Sequence, residues 1–376
     1  MVAWDLARSL HDSGHHVTFL TTQAPSLPNA ISVKDGVSIH TLNVPSGRYS
    51  RAWWSQSATT FLSHYEGSTD LVLGIGGGAH SILDAIQRLG LKTAIVLQAH
   101  GTPWGEIVSK LRIKTLRSLA GALRNIQFLC RDWRLAHYSS IVAIGPVVAT
   151  ALQHPPMSWL VGRTPIRTIE NGINEAQFQF NLQDRVRFRE RMGIDAGANV
   201  VASVSRITLQ KGVREALLGF IEFHKTAPNS IYLVAGEGDA EPLLKAIVRQ
   251  HNLSDNIRFL GKVDRETLPA MFSAADVFLF PSLRQEGLAI APLEAAASGL
   301  KIIISKHISI PEVNALLVIP TNINDIVDKL RKAFADTSSR ELTIPRRYTM
   351  SYSMALYEEC FRQLTLGSSA GVRTAN

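Results

Sequence analysis

Short apolar runs of strand length, alternating with longer segments of helical period, constrain this 376-residue chain more than any other feature. Residues 17–21, 71–74, 93–98 and 140–144 read as buried strands of a first half, and residues 200–204, 231–235, 257–260, 277–280 and 302–305 restart the rhythm in a second. Continuous runs of Val, Ile and Leu separated by helical patterns mark βα units, because each crossover helix lies on a face of a parallel sheet and leaves no polar side. The length fits two such domains. The expected fold class is therefore α/β, with two Rossmann-like, doubly wound parallel-sheet domains.

The Pro- and Gly-punctuated stretch 154–165 reads as the linker between them. This places a first domain at 1–163, a second at 164–345, and a final helical segment and tail at 346–376 that cross back to the first domain. The chain opens on a helical pattern at 1–10, where a doubly wound domain normally starts with a central strand and a Gly-containing turn.

Apolar residues make up 45% of the chain and charged residues 19%, enough for a core without covalent staples. Cys130 and Cys360 have no metal-ligand or redox spacing and read as buried, reduced thiols. No apolar run reaches the roughly 20 residues of a membrane span, and no secretory leader pattern opens the chain, so the expected compartment is the cytoplasm or the inner face of its membrane. Part of the net charge of +8 sits on Lys110, Arg112, Lys114, Arg117, Arg124, Arg131 and Arg134. That run reads first as a solvated helix face and second as a contact with anionic lipid headgroups; nucleic acid is excluded for want of aromatic residues interleaved with the charge.

The chemistry concentrates after the run 277–280. A loop carrying Glu286, Gly287, Leu288 and Ala289 leads into a small-residue helix whose first turn is expected to hold Glu294. A loop and helix N-terminus at the carboxyl end of a parallel sheet form an anion site, and two carboxylates there can accept hydrogen bonds from vicinal sugar hydroxyls. Arg206 and Lys211 follow the run 200–204, and two cations beside such a helix would neutralise a diphosphate.

These segments resemble the retaining GT-B glycosyltransferases of family four, whose two carboxylates are separated by seven residues as Glu286 and Glu294 are. The resemblance extends to Gly236 and Gly238 in a strand-to-helix turn, to Lys262 and Val263 at the nucleotide base, to Asp276, and to Asn171 in the segment that opens the donor domain. In the first half, His100 resembles the family's histidine near the reacting carbon. Gly76, Gly77, Thr102 and Trp104 then line the acceptor side.

The resemblance implies two GT-B domains facing a cleft. It also implies transfer of a hexose, with retention, from a nucleotide-diphosphate sugar to a glycan, lipid-linked or small-molecule acceptor, as in polysaccharide and lipopolysaccharide biosynthesis. His100, Glu286, Arg206 and Lys211 are its expected catalytic residues. Donor-binding residues are expected at Gly236, Gly238, Lys262, Val263, Gly287, Leu288, Ala289, Glu294 and Asn171. No metal-ligand cluster stands out and no cofactor is expected beyond the nucleotide-sugar co-substrate. The family's first strand and Gly-rich loop have no counterpart before the opening helix, which suggests a truncated start and, as an alternative, a nucleotide-sugar-binding protein with little turnover. A third reading is a nicotinamide-dependent enzyme using Gly74, Gly76 and Ala79; it lacks the acidic residue that would hold a ribose.

Overall fold

The structure, a computed structural model, describes residues 2–23, 31–44, 49–113, 123, 125, 126, 131–342 and 344–370. It divides into two compact units: Met1–Gly172 with Met350–Asn376, and Ile173–Thr349. Cys130, Lys114, Arg117 and Arg124 lie outside the described residues.

In the first unit, the helix Val2–Asp12 leads to β1 (Thr18–Thr22), followed by β2 (Ile31–Lys34) and β3 (Val37–Leu42). These form a three-stranded sheet in the order β1-β3-β2, with β2 and β3 antiparallel. Asp35 and Gly36, both at positive φ, make the tight turn between them. Such a pair supplies the backbone twist that a two-residue hairpin needs. This hairpin departs from the expected all-parallel architecture. A separate sheet, all parallel, runs β4-β5-β6-β7, from β4 (Leu71–Ile75) through β5 (Ala94–Ala99) and β6 (Ser140–Ala143) to β7 (Ile166–Thr168).

The stretch 154–165 is not a linker. It contains the helix Met157–Val161, with Met157 and Val161 buried, and feeds β7, which pairs with β6. Proline and glycine here shape turns within the first unit, and the chain leaves that unit only at Gly172. The C-terminal helix Met350–Ala370 belongs to the same unit, where Met354, Tyr357 and Cys360 pack with Leu6 and Leu10 of the first helix. Cys360 is a free thiol with no exposed surface, and burial pushes its pKa up.

The second unit is one six-stranded parallel sheet in the order β10-β9-β8-β11-β12-β13. Its strands are β8 (Asn199–Val204), β9 (Ser230–Ala235), β10 (Ile257–Gly261), β11 (Val277–Phe280), β12 (Lys301–Ser305) and β13 (Ala315–Val318). Successive side chains of a strand point to opposite faces. Accordingly Phe278 and Phe280 enter one apolar core and Val277 and Leu279 the other. Helices cover both faces, so the strands read as unbroken apolar runs.

Asp276, at the start of β11, is held by Arg185 at 2.8 Å, Arg189 at 3.0 Å and the backbone N–H of Val200 at 2.9 Å. Arg340 lies 3.6 Å away, and burial lowers its pKa to about 10. This cluster stands at the amino ends of the strands, so Asp276 is a structural anchor of the sheet.

Candidate functional site

β8 and β11 are neighbours at the centre of the second sheet, and the chain builds outward from them in opposite directions, β8 toward β9 and β10, β11 toward β12 and β13. Connections that diverge from adjacent parallel strands leave a crevice at their carboxyl ends, where open α/β sheets bind ligands. The loops there are pressed together backbone to backbone. Gly212 has φ +68°, and a Cβ on it would stand 1.8 Å from the carbonyl oxygen of Pro281. Gly236, at φ +128°, meets the carbonyl oxygen of Ser205 in the same way, also at 1.8 Å. At these two positions only glycine fits without moving main chain.

This contact brings Lys211 and Glu286 together from different loops. Lys211 Nζ lies 2.9 and 3.0 Å from the two carboxylate oxygens of Glu286, and Ser282 Oγ donates to Glu286 Oε1 at 2.8 Å. The two side chains are only 15% and 11% exposed. A pair this buried holds its geometry firmly, because losing either partner strands the other charge. Arg206, at the end of β8, is exposed and forms no side-chain hydrogen bond or ion pair among the described residues. The helix Ile290–Ala297 follows the loop, and no side chain caps its N-terminus at Ala289. Uncapped N–H groups at a helix start carry partial positive charge and favour an anion.

Other donor candidates occupy the same end of the sheet. Gly238 packs on the carbonyl of Ile207, Lys262 is exposed just after Gly261, Val263 and Leu288 pack against the core, and Gly287 and Ala289 lie in the loop before the helix. Glu294 differs from expectation. The helix starts at Ile290, which puts Glu294 in its second turn, with its side chain 3% exposed and Arg265 Nη1 2.8 Å from Oε1. Its partner, Arg265, comes from the segment after β10 and could not be read from the spacing of the two glutamates.

Asn171 lies in the first unit, buried, with Oδ1 3.5 Å from Gln98 Nε2, because β7 carries the first sheet further along the chain than the sequence suggested. Gln98 itself is fully buried at the end of β5, and its Nε2 donates to Tyr357 Oη at 2.6 Å. Its Oε1, 2.8 Å from His100 Nε2, then accepts from that nitrogen and leaves Nδ1 of the exposed imidazole as the lone-pair site. The surrounding protein disfavours the charged ring and lowers its pKa even though the residue as a whole remains exposed. Neither Gln98 nor Tyr357 carried a sequence signal.

Gly76 and Gly77 belong to a short turn, Gly76–Ala79, between β4 and the helix His80–Leu89. It is pinned by aromatic side chains: Tyr49 Oη donates to Ile75 O at 2.7 Å, Trp53 Nε1 to Gly78 O at 2.8 Å and Trp54 Nε1 to Gly77 O at 3.3 Å. Thr102 caps the helix Pro103–Ile113 by accepting from the N–H of Gly105 at 3.0 Å, and Trp104 is 41% exposed. Of the basic run, Arg134 is bound through two hydrogen bonds to Asp84 and Arg131 stacks over Trp54 at 4.5 Å, so these two do not form a free solvated face. No group of three metal-binding side chains occurs among the described residues.

Residues 184–349 match the family of glycosyl transferases group 1. An uncharacterized glycosyltransferase of Methanocaldococcus jannaschii is 30% identical over 189 residues, 48% of this chain and 47% of that protein. A GDP-mannose-dependent alpha-(1-6)-phosphatidylinositol monomannoside mannosyltransferase of Mycolicibacterium smegmatis is 26% identical over 238 residues, 62% of this chain and 57% of that one. The chain thus spans about half the length of these curated relatives. The sucrose-phosphate synthase of Thermosynechococcus elongatus superposes with a TM-score of 0.75 at 19% identity, covering 97% of this chain and 93% of its own. The fold is GT-B. Within this GT-B chain the family match falls inside the second unit, and it contains the loops that bring Lys211 to Glu286. No helix among the described residues is long and apolar enough to cross a membrane.

Proposed function

We propose that this protein transfers a hexose from a nucleotide-diphosphate sugar to a hydroxyl of a glycan or lipid-linked acceptor, with retention of anomeric configuration and without a divalent metal. The observation that carries the reading is the buried Lys211–Glu286 pair at the β8/β11 crevice, set beside the exposed Arg206 and an uncapped helix N-terminus. Together they put an ammonium, a guanidinium and free helix N–H groups at the carboxyl end of one sheet, the chemistry that recognises a diphosphate. As the bond from the anomeric carbon to the phosphate oxygen breaks, negative charge grows on the diphosphate, and preorganised cations and N–H groups stabilise that charge without reorganising. The acceptor oxygen attacks on the same face of the sugar, and its proton passes to the departing phosphate oxygen. Glu286, with both oxygens on Lys211, positions that cation and is not free to act as a nucleophile.

The test is a melting-temperature panel with UDP-, GDP- and ADP-sugars, followed by product analysis. One base is expected to raise the melting temperature, since a ligand that binds only the folded state stabilises it. Slow hydrolysis or transfer of that donor is expected in the same samples. No stabilisation by any nucleotide sugar would overturn the reading.

A further inference from the structure

Gln98 is the only polar side chain of β5, a strand hydrogen-bonded on both sides to β4 and β6, and it is fully buried. A leucine would fill the same space, whereas a buried amide costs about 1–3 kcal/mol unless its hydrogen bonds are met. They are met in a definite order. Gln98 Nε2 donates to Tyr357 Oη at 2.6 Å and has Asn171 Oδ1 3.5 Å away, while Oε1 lies 2.8 Å from His100 Nε2. Tyr357 and Asn171 are buried and His100 is exposed, so the contacts run from the interior to one surface imidazole.

Both interior partners come from the points where the chain leaves the first unit and returns to it. Asn171 precedes Gly172, the last residue before the second unit, and Tyr357 lies on the helix Met350–Ala370, with which the chain re-enters. That helix is anchored around Gln98. Tyr357 and Cys360 share an apolar cluster with Val96 of β5 and with Val142, the β6 residue in register with Gln98, and Ser353 Oγ donates to Glu170 O at 2.6 Å.

Two oxygens beside the amide nitrogen decide which way the amide points. Its own oxygen is left for His100, and an amide oxygen can only accept. His100 Nε2 then carries the proton and Nδ1 the lone pair. A buried, satisfied network rigidifies the group that it holds.

We propose that Gln98 and Tyr357 are positioning residues for His100. The C-terminal helix, through Tyr357, fixes the Gln98 amide, and the amide fixes the imidazole as its Nε2–H tautomer, with Nδ1 as the acceptor for a substrate hydroxyl. Only the word substrate rests on the transferase reading above.

NMR of the full chain with nitrogen-15 histidine, the signals assigned with His100→Asn, reads the tautomer directly. Wild type is expected to show His100 as Nε2–H alone, with an Nε2 proton that exchanges slowly with water. Tyr357→Phe frees the amide and Gln98→Leu removes it, and each is expected to speed that exchange. Gln98→Glu, which still offers an acceptor, is expected to keep the tautomer. The double variant Gln98→Leu/Tyr357→Phe replaces both partners by apolar groups of like shape, a change that can be nearly neutral in stability, and serves if a single variant fails to fold. His100 found as Nδ1–H in wild type, or an Nε2 proton unchanged in folded Tyr357→Phe, sinks the proposal. Turnover of a nucleotide sugar is followed in the same proteins. Gln98→Leu is expected to lose up to roughly a hundredfold in kcat, with recovery in Gln98→Glu and unchanged nucleotide affinity. Undiminished turnover in the folded double variant removes the positioning role, whereas the expected tautomer pattern in a protein that turns over no nucleotide sugar supports the network and removes the transferase reading.

Discussion

Ion pairs hold the second unit more densely than the described residues of the first. In the second, Asp276 is surrounded by Arg185, Arg189 and Arg340, Glu294 has Arg265, and Lys211 has Glu286. In the first, Arg134 takes Asp84 and Asp132 is left without a hydrogen-bond donor among the described residues. A paired charge fixes the backbone that carries it, whereas an unpaired one costs stability until something binds. The loops of the second unit are thus held by ion pairs, with Glu215 Oε2 the exception, buried without a hydrogen-bond partner, and the first unit has in Asp132 a buried carboxyl that no hydrogen bond holds among the described residues.

The strongest way to break this contrast is to remove the pairing where it is densest. Asp276→Ala leaves three guanidinium groups facing one another, and because the cluster is partly buried the cost falls between the roughly 1 kcal/mol of a surface pair and the roughly 3–5 kcal/mol of a buried one. Chemical denaturation should register that loss, with nucleotide binding at the far end of the sheet unchanged under native conditions. A cost below about 1 kcal/mol, the level of a surface pair, would show that the second unit does not depend on its charge network.

The next effect lies in the first unit and depends on pH. Because the folded pKa of Asp132 is raised, folding favours its protonated form, and the stability this gives at low pH is lost as pH rises from about 4 through about 7. His80 works the other way: burial and the nearby arginines lower its pKa to about 4, so stability falls as pH drops below its ordinary value of 6.5. The two slopes oppose each other in wild type. The difference between Asp132→Asn and wild type isolates the carboxyl. It should grow in favour of the variant across that window by up to about 4 kcal/mol, at roughly 1.4 kcal/mol per pH unit. A difference that stays constant with pH would mean that the carboxyl is well solvated or paired.

The same contrast explains what could be read from the chain alone. Residues 277–280 form a strand with the expected limits, and the other strands of the second sheet that were anticipated fall within a residue of expectation, because both faces are covered and apolar continuity marks them. The β2/β3 hairpin was legible in principle from Asp35-Gly36 between alternating apolar residues, but β2 is mostly exposed and both runs are short. Lys211 and Glu286 were legible as a spacing. Arg265 against Glu294 and Gln98 behind His100 were not, since each depends on partners brought from distant segments. The first unit runs to Gly172, past the expected boundary at 163, for a related reason: a three-residue strand, β7, extends the first sheet without a recognisable apolar run.

The central claim is that the β8/β11 crevice of the second unit holds a nucleotide diphosphate through Lys211. Its most direct test is calorimetric titration of UDP, GDP and ADP into wild type and Lys211→Met, with circular dichroism to verify that the variant is folded and Glu286→Gln added to relieve the stranded carboxylate. Wild type is expected to bind one of the three at a single site, and both the single and the double variant should lose that affinity by about a hundredfold, the loss of a charge-assisted contact of roughly 2.7 kcal/mol. Equal affinity in wild type and the folded double variant would contradict the account.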